Sequence, residues 1–221
     1  PAVGHLEGET AAAARVELLA VVFSRASDVK LGTRGACARH HPPQFEADLG
    51  MAIVTRIDDG SVLAAVGAVV DEETGLARCT SNNLPFTHTF EPGSTMKIVS
   101  VAAALESGAV DPYTRIEVPA EKPYPVDDGR VFLLRDTGRY EDREYTTSEI
   151  LIRSSNVGSS TLAEVAGPDA VWDLMHAFGF GSTSGVDFPG ESIGILEPFL
   201  STVALPTASY GQGVSVTAAQ V

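Results

Sequence analysis

Positive charge is scarce in this chain. Lysine occurs three times, at Lys30, Lys97 and Lys122, and Lys and Arg together number 15 against 29 Asp and Glu, a formal net charge of −14. Nothing here would neutralise a run of phosphates, which excludes nucleic acid as a partner. The same balance argues against an anionic membrane surface. Long hydrophobic runs are missing too. No stretch approaches the roughly 20 apolar residues of a spanning helix; residues 16–23 are too short and contain Glu17. With Val16, Leu19, Ala20 and Phe23 at helical spacing, they are predicted to belong to an amphipathic helix near residues 10–24. No signal-peptide pattern is present.

Cysteine is equally sparse. Cys37 and Cys79 are the two in the chain, too few for a disulfide framework or a zinc set. They could pair in an oxidising compartment, but they are read as unpaired. His40 and His41 stand before Pro42 and Pro43 with no Cys, Asp or Glu at zinc-ligand spacing, so a solvated loop is expected there and no metal. Gly179, Gly181 and Gly185 miss the dinucleotide fingerprint on spacing, and they follow a helix-like run at residues 170–178 instead of a strand. These glycines are expected to end that helix. The Gly-x-Ser-x-Gly elbow of α/β-hydrolases is absent, because residues 181–185 carry Thr183 at the centre.

What is present is a globular pattern with 44% hydrophobic residues, enough for one domain and part of a neighbour. Residues 51–57 and 61–67 read as two strands joined across Asp58-Asp59-Gly60, a hairpin signal. Residues 94–108 read as a helix closed by Gly108. Residues 122–145 are charged and turn-rich and are expected to form an exposed excursion. Helices are expected to dominate residues 147–178.

Chemistry enters at Ser94-Thr95-Met96-Lys97, directly after Glu91-Pro92-Gly93. A serine and a lysine three positions apart on a helix share a face, with Cβ atoms roughly 5–6 Å apart, so the amine can reach the hydroxyl. A serine hydroxyl is a weak nucleophile and needs a neighbouring base, worth about 100- to 10,000-fold in rate. Lysine serves as that base when burial lowers its proton affinity, and Ile98, Val99, Val101, Ala102 and Leu105 are the apolar neighbours expected to bury it. Pro92 and Gly93 let the chain turn into the helix, whose N-terminal N–H groups would favour negative charge beside Ser94. Taken alone, Ser-x-x-Lys is weak, with a chance match expected at roughly 0.2 per chain.

A second element follows at Ser154-Ser155-Asn156. Thr146 and Glu149 form a capping-box pattern that opens a short helix, the chain breaks at Ser-Ser-Asn, and a second helix runs to about Ala166. A hydroxyl and a carboxamide on such an inter-helix loop can face a cleft. There Ser154 would relay a proton between Lys97 and a leaving amine, and Asn156 would hydrogen-bond the lysine and a substrate amide.

With both elements in hand, the chain resembles the transpeptidase domain of class B penicillin-binding proteins, the peptidoglycan D,D-transpeptidases of division and elongation. The resemblance is carried by Phe90-Glu-Pro-Gly-Ser-Thr-Met-Lys-Ile-Val99 and Ile152-Arg-Ser-Ser-Asn-Val-Gly158. It continues through Phe178-Gly-Phe-Gly181, Gly185-Val-Asp-Phe-Pro-Gly-Glu191 and Ser209-Tyr-Gly-Gln-Gly-Val-Ser-Val-Thr217. It implies an α+β fold of the penicillin-binding protein and serine β-lactamase type, helices packed on a central antiparallel sheet. It covers residues 51–221 as a partial transpeptidase domain and leaves residues 1–50 poorly assigned.

The resemblance implies Ser94 as the acylated nucleophile, Lys97 as general base, and Ser154 and Asn156 as the second motif, without metal or cofactor. The family's third motif, Lys-Thr-Gly, is not among these residues; by resemblance it would follow Val221, and the chain is expected to be incomplete at its C-terminus. The strand bearing that motif would supply one of two oxyanion donors, worth about 100- to 1,000-fold in rate, so the chain alone is expected to be weak or inactive. The residue after Thr217 is Ala218, where the family usually has proline. The implied partners are peptidoglycan stem peptides ending in D-Ala-D-Ala, β-lactams, a SEDS-type glycosyltransferase and other divisome or elongasome proteins. The implied location is the extracytoplasmic face of the bacterial cell membrane, with the anchor outside these residues. Two alternatives stay open, a β-lactam-sensing or β-lactam-hydrolysing relative and a catalytically incomplete penicillin-binding module.

Overall fold

The computed structural model describes the backbone at residues 23–24, 30–31 and 37–38, and residues 49–221 apart from 127, 128, 139 and 140. The chain divides into two compact units, Pro1–His88 with Phe188–Glu191, and Thr89–Asp187 with Ser192–Val221.

The first unit is built on an antiparallel sheet of β1 (Phe23–Ser24), β4 (Leu49–Thr55), β5 (Val62–Val70) and β6 (Ala77–Thr80), in the order β1-β4-β5-β6. A separate pair, β2 (Lys30–Leu31) and β3 (Cys37–Ala38), is also antiparallel. The expected hairpin across Asp58-Asp59-Gly60 is present. Met51 pairs with Gly67 and Ile53 with Ala65, and the turn closes through Gly60 N–H on Arg56 O at 2.8 Å. Helix α1 (Leu84–Thr87) comes so near β5 that a Cβ on Gly67 would stand 2.7 Å from Leu84 Cγ.

Two expectations are corrected in this unit. Residues 23–24, the end of the expected helix, are strand and pair with Met51 and Gly50, backbone partners distant in the chain that local periodicity does not record; the rest of that helix lies outside the described residues, as do His40 and His41. Cys79 is disulfide-bonded, and no described cysteine is free. Pairing depends on which segments the fold brings together, and two isolated cysteines carry no local sign of it.

The second unit is mainly helical. Its centre is α2 (Lys97–Glu106), preceded by a 3-10 turn at Gly93–Met96. Around it lie α3 (Thr147–Ile152), α4 (Asn156–Ala166), α5 (Pro168–Ala177) and the short α6 (Ala204–Ala208). Helix α2 is buried on two sides. Val101 and Ala104 join one apolar cluster with Ile116, Ile150, Val157, Leu162 and Tyr210. Met96, Val99 and Ala103 join another with Val171, Met175 and Val216. Ile98 and Leu105, expected to help bury Lys97, are instead 56% and 36% exposed, because two buried sides leave them on the third. Among the described residues no helix is long and apolar enough to cross a membrane.

Residues 122–145 are not the expected exposed excursion. They hold β9 (Lys122–Pro125) and β10 (Val131–Leu134), which form a hairpin, and β11 (Arg143–Thr146), which pairs with β8 (Arg115–Val118). Tyr124, Leu134 and Tyr145 enter the core. In strands of four residues the inward alternation rests on one or two side chains, too little to stand out among so many charges. A further antiparallel pair, β7 (Thr89–Phe90) with β12 (Val216–Thr217), brings the end of the chain beside the entry to α2.

Helices α3 and α4 meet with almost no clearance. A Cβ on Gly158 would lie 2.7 Å from Cγ1 of Ile150, a fully buried side chain. Gly158→Ala should therefore lower the unfolding free energy by about 1–3 kcal/mol. Most of that cost should disappear in an Ile150→Ala background, read as coupling in a double-mutant cycle of chemical denaturation. Equal costs in the two backgrounds would mean that this contact does not limit the approach of the helices.

Candidate active site

The loop entering α2 is held from outside. Gly93 adopts φ +58°, and its N–H donates to Gly211 O at 3.1 Å. A Cβ on Gly211, itself at φ +84°, would lie 2.1 Å from Gly93 O, so only glycine permits this approach. Glu91 Oε1 accepts the Gly213 N–H at 2.8 Å. Tyr210, which directly precedes Gly211, has its phenol pushed up by burial and, second, by the Glu91 carboxylate. The result is an exposed Ser94 at the start of the helical segment, with its lysine one turn further on.

Lys97 is 1% exposed. Its Nζ donates to Ser94 Oγ at 2.9 Å, to Ser154 Oγ at 2.9 Å and to Ser154 O at 2.9 Å. Ser154 Oγ lies 3.1 Å from Ser94 Oγ. Two hydroxyls and one amine thus form a closed triangle, drawn from positions 60 residues apart in the chain.

The Ser154 geometry comes from how α3 ends. Glu149 and Thr146 make the expected capping box at its start, and the Thr146 N–H, first among several contacts, holds the Glu149 carboxyl below its usual range. At the other end, Ser154 N–H donates to Leu151 O at 3.0 Å and Ser155 N–H to Ile150 O at 3.0 Å. This is a Schellman closure, in which the residue after the helix cap is left-handed and usually glycine. Here that residue is Ser154, at φ +53°. The left-handed turn aims both its carbonyl and its hydroxyl at Lys97.

Asn156 opens α4. Ser155 caps that helix through Gly158 N–H at 2.9 Å. The Asn156 carboxamide donates to Arg135 O at 3.3 Å, so the side chain lies at the edge of the site, steadied by the end of β10. Behind the triangle, Ser100 of α2 and Ser159 of α4 both donate to the buried Ser209 O, at 2.7 and 3.0 Å. These two bonds tie both helices to the segment that carries Gly211.

All four residues singled out from the sequence lie in this region, and Ser94, Lys97 and Ser154 are in direct contact. Sequence reasoning missed Asp136, Ser100 and Ser159, which touch the motifs only through folding. A weak signal existed in Ser155 and Ser159, which repeat at helical spacing. Among the described residues no group of three or more His, Cys, Asp or Glu is arranged to hold a metal.

Residues 50–221 match the family model of the penicillin binding protein transpeptidase domain. The chain belongs to this family. Relatives of this transpeptidase family include penicillin-binding protein PbpB of Mycolicibacterium smegmatis, 37% identical over 60% of this chain and 20% of its own length. Another is peptidoglycan D,D-transpeptidase FtsI of Escherichia coli K12, 30% identical over 80% of this chain and 29% of its own. The apo transpeptidase domain of Burkholderia pseudomallei penicillin-binding protein 3 superposes with a TM-score of 0.64 at 29% identity, covering 78% of this chain and 47% of that one. The α+β fold is therefore that of a penicillin-binding protein transpeptidase domain, and the chain spans under a third of these curated relatives.

The left-handed Ser154 yields a measurable prediction. Ser154→Gly and Ser154→Ala both delete the hydroxyl, but only glycine relieves the backbone. Ser154→Gly should be more stable than Ser154→Ala by about 1 kcal/mol, read from chemical denaturation at one pH. Equal stability of the two variants would mean that the serine conformation carries no strain.

Proposed function

We propose that the chain is the acylating part of a serine D,D-transpeptidase that cross-links peptidoglycan stem peptides and is itself acylated by β-lactams. Family membership supports the substrate class. The observation that carries the reading is the Lys97 Nζ, 2.9 Å from each of the Ser94 and Ser154 hydroxyls.

The chemistry follows from that triangle. Burial favours the neutral amine of a lysine over its ammonium. A neutral amine has two N–H bonds and one lone pair. The N–H bonds point to Ser154 O and Ser154 Oγ, and the lone pair receives the Ser94 proton. Ser94 Oγ then attacks the carbonyl of the penultimate D-Ala. The proton passes from Lys97 through the Ser154 hydroxyl to the departing nitrogen, and the terminal D-Ala leaves. An amine from a second stem peptide attacks the acyl-enzyme and returns the proton by the same route, a ping-pong course. Asn156 orients the substrate amide at the edge of the site. With a β-lactam the broken C–N bond lies in a ring, so the leaving nitrogen stays tethered and the acyl-enzyme persists.

In this reading residues 51–221 form part of the transpeptidase domain. It acts at the extracytoplasmic face of the cell membrane, where peptidoglycan lies, alongside a SEDS-type glycosyltransferase and other division or elongation proteins.

With the chain extended by a family segment carrying Lys-Thr-Gly, a fluorescent penicillin should label Ser94, located by peptide mass spectrometry, and Ser94→Ala should abolish the label. Lys97→Met keeps the buried volume but has no basic nitrogen; its acylation rate should fall by about 100-fold or more with the circular dichroism spectrum retained. Labelling that survives Ser94→Ala, or wild-type acylation by a folded Lys97→Met protein, would overturn the assignment.

A further inference from the structure

The first turn of α4 is bonded more heavily than a helix start needs. Ser155 already caps it through Gly158 N–H. Asp136, 7% exposed and following β10, adds Oδ1 as acceptor for Asn156 N–H at 2.6 Å and Val157 N–H at 3.0 Å. Its neighbour Arg135 offers its carbonyl to the Asn156 carboxamide. A carboxylate at a helix N-terminus is favoured by the helix dipole, and its bonds to N–H groups are charge-assisted.

The strand pair behind Asp136 is itself registered on α4. Tyr124 on β9 has its hydroxyl 2.5 Å from Ser160 Oγ and 2.6 Å from Glu164 Oε1, and Lys122 Nζ donates to Thr161 Oγ1 at 3.0 Å. The hairpin is thus anchored midway along α4 and reaches back to its first residue.

Ser154 lies where these anchors meet the end of α3. The Schellman bonds fix its own amide on Leu151 O and the Ser155 amide on Ile150 O. The next two amides along the chain, those of Asn156 and Val157, are fixed on Asp136. We infer that Asp136 is a positioning residue for the Ser154 hydroxyl, holding the Ser154–Asn156 loop so that the relay contacts to Ser94 and Lys97 persist. This rests on the proton-relay reading given above. Displacement of a reacting group by about 1 Å costs on the order of 100-fold in rate, so loss of one of the two anchors should appear in the chemical step.

Two readouts test it. In Asp136→Ala, hydrogen exchange at the Asn156 and Val157 amides should speed up while the second half of α4 stays protected. Penicillin acylation, measured on the chain extended by the Lys-Thr-Gly segment and resolved by stopped flow into noncovalent binding and the bond-forming rate, should lose roughly 10- to 100-fold in the bond-forming rate with binding unchanged. Asp136→Asn keeps an oxygen acceptor without the charge and should show a smaller loss in both readouts. A folded Asp136→Ala protein with wild-type exchange, or with a wild-type bond-forming rate, would overturn the inference. Should Asp136→Ala fail to fold, wild-type values for Asp136→Asn in both readouts would overturn it. If the extended protein with Asp136 intact is not acylated at Ser94, the transpeptidase reading fails, and the exchange experiment still decides whether Asp136 holds the loop.

Discussion

The amine of Lys97 sits in the interior of a helical unit, and the arrangement around it follows from keeping it there. A buried amine must find partners for its hydrogens. Its nitrogen lies within hydrogen-bond reach of Ser94 on its own turn and of the carbonyl and hydroxyl of Ser154. Those last two groups belong to one residue, and both reach the same nitrogen because Ser154 is left-handed. A left-handed serine in turn requires a helix that ends there, which the capping box of α3 and the closure onto Ile150 and Leu151 supply.

The cost of that conformation falls on the residue whose hydroxyl meets both Ser94 and Lys97. Glycine would close α3 with less strain, but it would bring no hydroxyl to that contact. Stability is given up locally, as is common where backbone strain and function coincide. Support comes from positions where bulk is absent. Gly211 lets Gly93 approach, Gly158 lets α3 approach α4, and the hydroxyls of Ser100 and Ser159 join α2 and α4 through one buried carbonyl. Small side chains and short hydrogen bonds together leave the site few ways to relax.

Much of this was legible in the chain. The Ser94–Lys97 spacing, the Thr146–Glu149 cap, the break at residues 154–156, the hairpin across Gly60 and the helix-like run at residues 170–178 are local matters of periodicity, capping and turn chemistry. The penicillin-binding protein resemblance rests on the same local blocks, and the family match bears it out. Other features were misjudged for a common reason. The strands within residues 122–145 are too short to show a period against their charges, and Ile98 and Leu105 were counted as burying Lys97 although α2 turns other faces inward.

The sequence by itself determined which groups are available and how they are spaced along their own helices, because helical geometry places Lys97 one turn beyond Ser94 whatever surrounds them. It also determined where the second hydroxyl would be free of helix. The tertiary structure alone decided that Ser154 meets Lys97, that Asp136 meets the first turn of α4, that Ser209 gathers two hydroxyls and that Cys79 is oxidised. Each of these joins groups far apart in the chain. Their distance in space depends on how apolar faces such as those of Val101, Ile150, Val157 and Leu162 pack into one cluster, which no local spacing records.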